Sequence, residues 1–533
     1  MKMQTFAALG VFFAFSATAS MASFKKATKR PNVLFILTDD QHREEFNFLK
    51  EGRNNDGSKK SLSPTIDRLA NEGVIFNQQH VVGAICTPSR FSILTGRYPS
   101  TAQNIGFKRL LEKKKQANVT FNIGITNNDY NISKALNDAG YYTGGVGKNH
   151  VIQGDESRKH ARHRIPKKGY KKQNEILENI YKDQIAVYKE VGFDYAASIY
   201  PGNLPGFLPK ELLFHNTDWI VKGALDFLDM AEKEHGDEPF FLYFATTVSH
   251  GPAKYGTKYI GDRRASAKGW LDKPVDVLPS QESIKKRVQD AHVRKVSTDA
   301  LWLDDAVNAL VSKIEKMGEL DNTIIVFLTD HGVEHGKFTC YEGGTKTASF
   351  YYGPKFFKGH RKLSVLTSNV DFAPTILDLC KVPLDRSAHI NGKSIKPILD
   401  GKDVTIHDHL YHEVGATRAI LKDHWKYIAF RKPQWVQNIT HEQRVGLAKK
   451  GIDPNAPFTH TCDQPGGRGG ESPAIKFYPN YYDADQLYNL SEDSTEQHNL
   501  AKDPTYVAKL KEMKALLAKE VKQLPGTFAE FTK

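Results

Sequence analysis

The 533-residue chain is 40% hydrophobic and 25% charged, the balance of a globular protein with room for one large domain and a smaller one. Four cysteines exclude a small disulfide-stapled scaffold. Beyond residue 30 no stretch approaches the ~20 apolar residues of a membrane span, and the net charge of +13 favours an anionic partner.

The chain opens with Lys2, an apolar run from Thr5 to Phe15 and small residues from Ser16 to Ala22. That is the order of a secretory signal cleaved after Ala19 or Ala22. Residues 1–22 are therefore expected to be a signal peptide, and the mature chain, at +12, to be secreted or periplasmic. Exported proteins meet polyanionic glycans more often than nucleic acid, so no nucleic-acid partner is expected. Should Cys86 be reserved for chemistry, Cys340, Cys380 and Cys462 can form at most one bridge, and their spacings match no zinc pattern.

Asn32 to Thr38 is a nearly continuous apolar run, as in a strand buried on both faces. Ser63 and Pro64 open a helix that Gly73 closes, and Val74 to Phe76 is a further strand. Ile132, Leu136 and Ala139 mark a short helix before a strand from Tyr142 to Val146. Ile220, Ala224, Phe227, Leu228 and Ala231 form a helical stripe before the strand Phe240 to Phe244. A second stripe, from Val296 through Leu303 and Leu310 to Met317, ends at Gly318 before the strand Thr323 to Leu328. Helices alternating with apolar strands predict an α/β domain with a mostly parallel sheet.

Such sheets hold their sites beyond the C-terminal ends of their strands. Here four strands run into polar clusters: Asp39-Asp40, Lys148 with His150, His250, and Asp330-His331. Near residue 403 the texture changes to shorter apolar runs and more aromatics, with a glycine-rich loop from Gly466 to Gly470 and a terminal helix from about Pro504 to Leu524. The expected domains are a catalytic one over 23–403 and a smaller α+β one over 404–533.

Cys86-Thr87-Pro88-Ser89-Arg90 begins a helix that ends at Gly96, so Cys86 sits where free N–H groups and the helix dipole attract anions. Extended by Leu94-Thr95-Gly96-Arg97, this stretch resembles the signature of the formylglycine-dependent (type I) sulfatases of the alkaline-phosphatase superfamily. The resemblance spans nearly the whole mature chain. It includes Pro31 to Ile36 with Asp39-Asp40, Gly140 to Gly144 with Gly147-Lys148-Asn149-His150, and Thr329-Asp330-His331-Gly332. Gly336-Lys337 with Tyr341-Glu342-Gly343-Gly344 resembles the later half of the family's site, and Asp371 to Asp378 and Leu487 to Leu490 its structural signatures.

This resemblance implies an alkaline-phosphatase-like α/β/α sandwich and a partner enzyme, the formylglycine-generating (sulfatase-maturing) enzyme, that oxidises Cys86 to an aldehyde. One hydroxyl of the hydrated aldehyde attacks sulfur, and loss of a proton from the second ejects sulfate. Asp39, Asp40 and Asp330 are hard oxygen ligands suited to Ca²⁺, which residue 86 and His331 would also approach. Arg90, Lys148 and Lys337 supply fixed positive charge. His150 is the expected base and His250, with Lys337, the expected acid. Lys148 and His150, two apart, would share a side of an extended segment. Three positions depart from the family: His331 replaces a common asparagine, Asn149 a tryptophan and Lys346 an arginine. Imidazole is a poorer Ca²⁺ ligand, which leaves the metal role of His331 open.

Eight basic residues and no acid lie between Arg158 and Lys172, and Lys254, Lys258, Arg263, Arg264 and Lys268 follow His250. A polybasic rim suits a sulfated oligo- or polysaccharide, such as the algal galactan carrageenan. Two other readings stay open: a phosphonate monoester or phosphodiester hydrolase of the same superfamily, and a non-catalytic polyanion-binding protein. Matched sulfate and phosphate esters separate the first, and the mass of the peptide carrying Cys86 the second.

Overall fold

The computed structural model describes residues 29–155, 170–251, 260–294 and 297–532. Its main body is an eight-stranded sheet. The strands are β1 (Asn32–Thr38), β2 (Val74–Phe76), β3 (Tyr142–Lys148), β4 (Tyr195–Tyr200), β5 (Phe240–Ala245), β6 (Thr323–Thr329), β7 (Ser349–Tyr352) and β8 (Arg361–Leu363). Across the sheet they run β8-β2-β7-β6-β1-β5-β3-β4. Only β7 runs against its neighbours; every other pairing is parallel. The mostly parallel sheet read from the sequence is therefore present.

Alternating side chains of β1 serve two separate cores. Leu34 and Ile36 pack among α4 (Thr217–Lys233) and α5 (Ser297–Lys316), through Ile220, Phe227, Leu303 and Leu310. Val33, Phe35 and Leu37 pack on the other face. There they meet Phe91 of α2 (Cys86–Thr95), Leu136 of α3 (Ile132–Asp138), and Phe372 and Ile376 of α6 (Phe372–Leu379). A strand with helices on both sides has no polar face, which is why it reads as an unbroken apolar run. The layers are those of the alkaline-phosphatase-like sandwich.

A second sheet of four antiparallel strands lies toward the C-terminus: β9 (Leu410–Val414), β10 (Thr417–Lys422), β11 (Trp425–Phe430) and β12 (Asp485–Asn489). Met513, Leu517 and Val521 of α7 (Val507–Val521) pack with Ile420, Tyr427 and Leu487 of that sheet. The terminal helix is shorter than its sequence pattern. Asp503 caps a 3₁₀ turn over Pro504–Tyr506, and the α-helix starts only at Val507.

One further expectation is modified. Ser63 occupies the N-cap position of α1 (Pro64–Glu72), but its hydroxyl turns to Asp67, 3.3 Å away. The N–H groups of Thr65 and Ile66 are taken instead by Asp304 of α5, at 3.1 and 2.7 Å. All four cysteines are buried free thiols.

The signal segment, Arg158 to Lys168, Lys254 and Lys258 lie outside the described residues, as do the side chains of Lys171 and Lys172. Farther along the expected basic rim, Arg263 pairs with Asp218 and Asp276, and Arg264 with Asp262 at 2.7 Å. These two arginines are thus largely neutralised. Among the described residues no helix is long and apolar enough to cross a membrane.

Candidate active site

Four parallel strands deliver their polar termini to one edge of the large sheet. Asp39 and Asp40 follow β1, Lys148 ends β3, His250 lies just past β5, and Asp330 and His331 follow β6. The Asp39 N–H donates to the Val248 carbonyl (3.1 Å) and the Asp40 N–H to Asp330 Oδ1 (3.2 Å).

Helix α2 brings Cys86 to the same edge. Its first turn is latched there: the Ser89 hydroxyl donates to the Asp330 carbonyl, and Asn369 Nδ2 donates to Ser89 Oγ at 3.0 Å. One turn on, the fully buried Arg90 donates from Nη1 to the Lys148 carbonyl at 3.2 Å. Its Nη2 lies 3.5 Å from Asp330 Oδ2 and 3.8 Å from Asp39 Oδ1.

Asp39, Asp40 and Asp330 offer oxygens all within 4.8 Å of one another; Cys86 with Asp330 and His331, and Asp40 with Cys86 and His250, form equally close sets. Lys148 Nζ reaches Asp39 Oδ2 at 2.5 Å, and Lys337 Nζ reaches Asp40 Oδ1 at 2.7 Å. His331 Nε2 lies 3.2 Å from Asp40 Oδ1 and 3.4 Å from Cys86 Sγ, while its Nδ1 faces the Gly332 carbonyl at 3.0 Å.

Burial works against every charge here, and neighbouring charges decide each outcome. Asp330 is pushed up to about 8 by burial and by the adjacent Asp39 and Cys86, against the pull of His331 and Arg90. Burial also opposes ionisation of Asp39 and Asp40, but Lys148 and Lys337 respectively hold them low. For Cys86 the lysines and His331 overcome burial and hold the thiol well below its ordinary value. Burial lowers His150, whereas Asp40 overcomes burial at His250 and raises it.

The donor set fits a hard divalent cation. Three carboxylates crowd together, burial makes one of them resist ionisation, and the buried Asp39 Oδ1 has no hydrogen-bond partner among the described residues. His331 adds a nitrogen at the edge of this oxygen cluster.

Lys148 and His150 do converge on Cys86, but not along an extended segment. β3 stops at Lys148, and His150 takes a left-handed conformation (φ 65°) with its N–H on the Pro201 carbonyl at 3.1 Å. Its own carbonyl accepts from Thr87 Oγ1 at 3.0 Å, beside the first turn of α2. Just before the pair, Gly147 has φ +91° and no space for a side chain, because a Cβ would lie 1.8 Å from the Ala245 carbonyl oxygen. Gly147→Ala is expected to destabilise the fold by about 3 kcal/mol or more. Gly206→Ala, where nothing lies within 4 Å, should stay within about 0.5 kcal/mol. Urea midpoints of the two variants check this.

The sulfatase family model matches residues 31–382, and the model for the C-terminal part of N-sulphoglucosamine sulphohydrolase matches residues 330–441. The chain belongs to the sulfatase family. An N-acetylglucosamine-6-O-sulfatase of Bacteroides thetaiotaomicron is 27% identical, covering 94% of this chain and 88% of its own. An ulvan-active sulfatase of Formosa agariphila is 24% identical, covering 90% and 77%. The crystal structure of Ps i-CgsB in complex with k-i-k-neocarrahexaose superposes with a TM-score of 0.55 at 21% identity, covering 94% of each chain. The present sulfatase is accordingly a sulfuric ester hydrolase.

Its cleft is a cavity of about 550 Å³ with Asp40, His250 and Lys337 in the wall. A neighbouring cavity of about 670 Å³ holds Glu342 instead. Glu342 belongs to the segment matched to the later half of the site, yet it pairs with Lys426 (2.8 Å) of the second sheet and with His80 (3.2 Å). Among the cleft residues that sequence reasoning missed are Phe121, Lys449 and Arg468. They come from loops without periodicity. The glycine-rich run before Gly470 was the one available signal for Arg468.

Proposed function

We propose that this sulfatase hydrolyses sulfate monoesters on a sulfated carbohydrate, with Cys86 matured to formylglycine beside a calcium ion. One observation carries the reading: Cys86 lies among three carboxylates, Arg90 and two lysines at a single strand edge. The hydrated aldehyde would supply one hydroxyl to attack sulfur and a second whose deprotonation frees sulfate. Calcium, held by Asp39, Asp40 and Asp330 with residue 86 and His331 at its side, would neutralise charge on the sulfate oxygens.

The protein's own groups divide the remaining tasks. Arg90, Lys148 and Lys337 offset the charge of the ester and of its attacker. His150, lowered by burial, is suited to take a proton at the residue-86 side chain. His250, raised by Asp40 against its burial, is suited to give one to the leaving oxygen, with Lys337 beside it. Two imidazoles with pKa values driven apart make an acid and a base from one residue type.

The substrate we favour is an algal polysaccharide or oligosaccharide of the carrageenan kind. An ulvan-active relative, a structural neighbour carrying a neocarrahexaose, and the chain's +13 charge support it. In the same reading residues 1–22 are a cleaved leader, the protein is exported, and the two domains divide near residue 403.

The test is sulfate release by the matured protein from defined sulfated oligosaccharides, with matched phosphate and phosphonate esters alongside. We expect sulfate esters to be turned over fastest and the residue-86 peptide to have exchanged sulfur for oxygen. Faster phosphonate or phosphodiester turnover would move the enzyme to that reaction class. An intact thiol after co-expression with a maturing enzyme, together with glycan binding and no turnover, would leave only a binding protein.

A further inference from the structure

Arg468 reaches the cleft from the C-terminal part of the chain, in the same cavity wall as Asp40, His250 and Lys337. Its loop is tightly built. Glu471 is fully buried and accepts from the Arg468 N–H (2.8 Å) and from Thr461 Oγ1 (3.0 Å). Gly470 lies so close to Phe338 that a Cβ would meet the ring at 2.4 Å.

The guanidinium itself is aimed. It lies over the Phe121 ring, 4.9 Å from the centroid, and its Nε donates to Asp463 at 2.8 Å. Phe121 in turn stacks on His150 at 5.4 Å and meets Phe338 edge-on at 5.9 Å. Arg468 is thus linked to the catalytic cluster through one shared ring. Neither Nη atom has a protein partner among the described residues, and the side chain is 36% exposed. A planar fork with both terminal nitrogens unspent and its plane fixed by an aromatic face suits a bidentate oxyanion.

Charge in the cavity agrees. Among the described lining residues Asp40 is the single acid, and it is already engaged by Lys337, His250 and His331. Lys449 adds an exposed positive charge to the same wall. A scissile sulfate beside Cys86 has Arg90, Lys148 and Lys337 for partners, which leaves Arg468 without a role in holding it.

We propose that Arg468 is a specificity residue that reads a second anionic group of the substrate, a sulfate or a carboxylate borne close to the scissile sulfate, through its free Nη edge. This rests on the sulfatase reading for the position of the scissile group. Asp463 and Phe121 are the positioning residues.

Calorimetric titration of the full, unmatured chain in calcium tests it without any turnover. Three disaccharides are compared: one with a single sulfate, the same with two, and a monosulfated one with a neighbouring uronate. Arg468→Ala should weaken the ligand or ligands with a second anion by about 10- to 100-fold, and the singly sulfated one by less than about 3-fold. The disulfated and uronate arms tell which anion is read. Arg468→Lys, which keeps the charge but not the fork, should restore part of the loss. Asp463→Asn should give the same ranking with smaller effects. Equal weakening of all three ligands, no weakening of any, or wild-type protein that does not distinguish them would overturn the proposal. Sulfate release by the matured protein tests the sulfatase reading separately, so either idea can fail while the other stands.

Discussion

Cys86→Ala is expected to abolish sulfate release, by a factor on the order of 10⁴ or more, with the fold intact. The side chain is small and fully buried, and the latch that fixes its helix turn runs through Ser89 and Asn369 instead. Folding should therefore survive, as circular dichroism can verify, while the side chain at the centre of the charge cluster is lost. Cys86→Ser separates nucleophile from exit. A serine hydroxyl at the start of α2 keeps the anion-attracting helix end and the flanking Lys148 and Lys337. It can attack sulfur once, but it has no second hydroxyl to expel sulfate. The expected record is at most one equivalent of alcohol per protein with no free sulfate. Continued sulfate release from the alanine variant would show that residue 86 is not the nucleophile.

Asp330 should reverse its contribution to stability when calcium is added. In the cation-free protein its pKa is raised from the usual 3.8 to about 8, chiefly through burial. A carboxyl raised in the folded state gives stability that is fully present below 3.8 and is lost as pH climbs through about 8. Asp330→Asn removes that loss, so in chelator at pH 8 the variant should melt at or above wild type. With calcium at 100 times its Kd, wild type should gain about 2.7 kcal/mol. Given about 2.1 cal/mol/K of unfolding entropy per residue, that is a rise of about 2–3 °C. The variant should gain little of it and lose roughly 10³-fold in turnover. Differential scanning fluorimetry across pH, with and without calcium, reads both signs. A calcium-independent melting point for wild type would remove Asp330 from any metal site.

Much of this site could be read before any coordinates, for a physical reason. Strands buried on both faces are conspicuous, and in a parallel sheet whatever follows them gathers at one edge. Asp39, Lys148 and Asp330 needed only that rule. His150 reached the right place by the wrong geometry, because the left-handed turn after β3 is invisible to a count of two along an extended chain. The strand order was out of reach as well: β7 lies between its near neighbour in sequence, β6, and β2, where Phe350 pairs with Ile75 from the far end of the domain. Likewise, Phe121 and Arg468 meet across most of the chain's length, and no local pattern announces such a contact.

The complete burial of Cys86 dictates a chronology. Were residue 86 matured as proposed, the oxidase would have to draw the thiol into a pocket of its own, which a side chain with no exposed surface in the finished fold does not permit. In that case conversion would belong to the chain before helix α2 packs against the sheet. Copies that fold first would then keep the thiol, and supplying the oxidase afterwards would not recover them without unfolding.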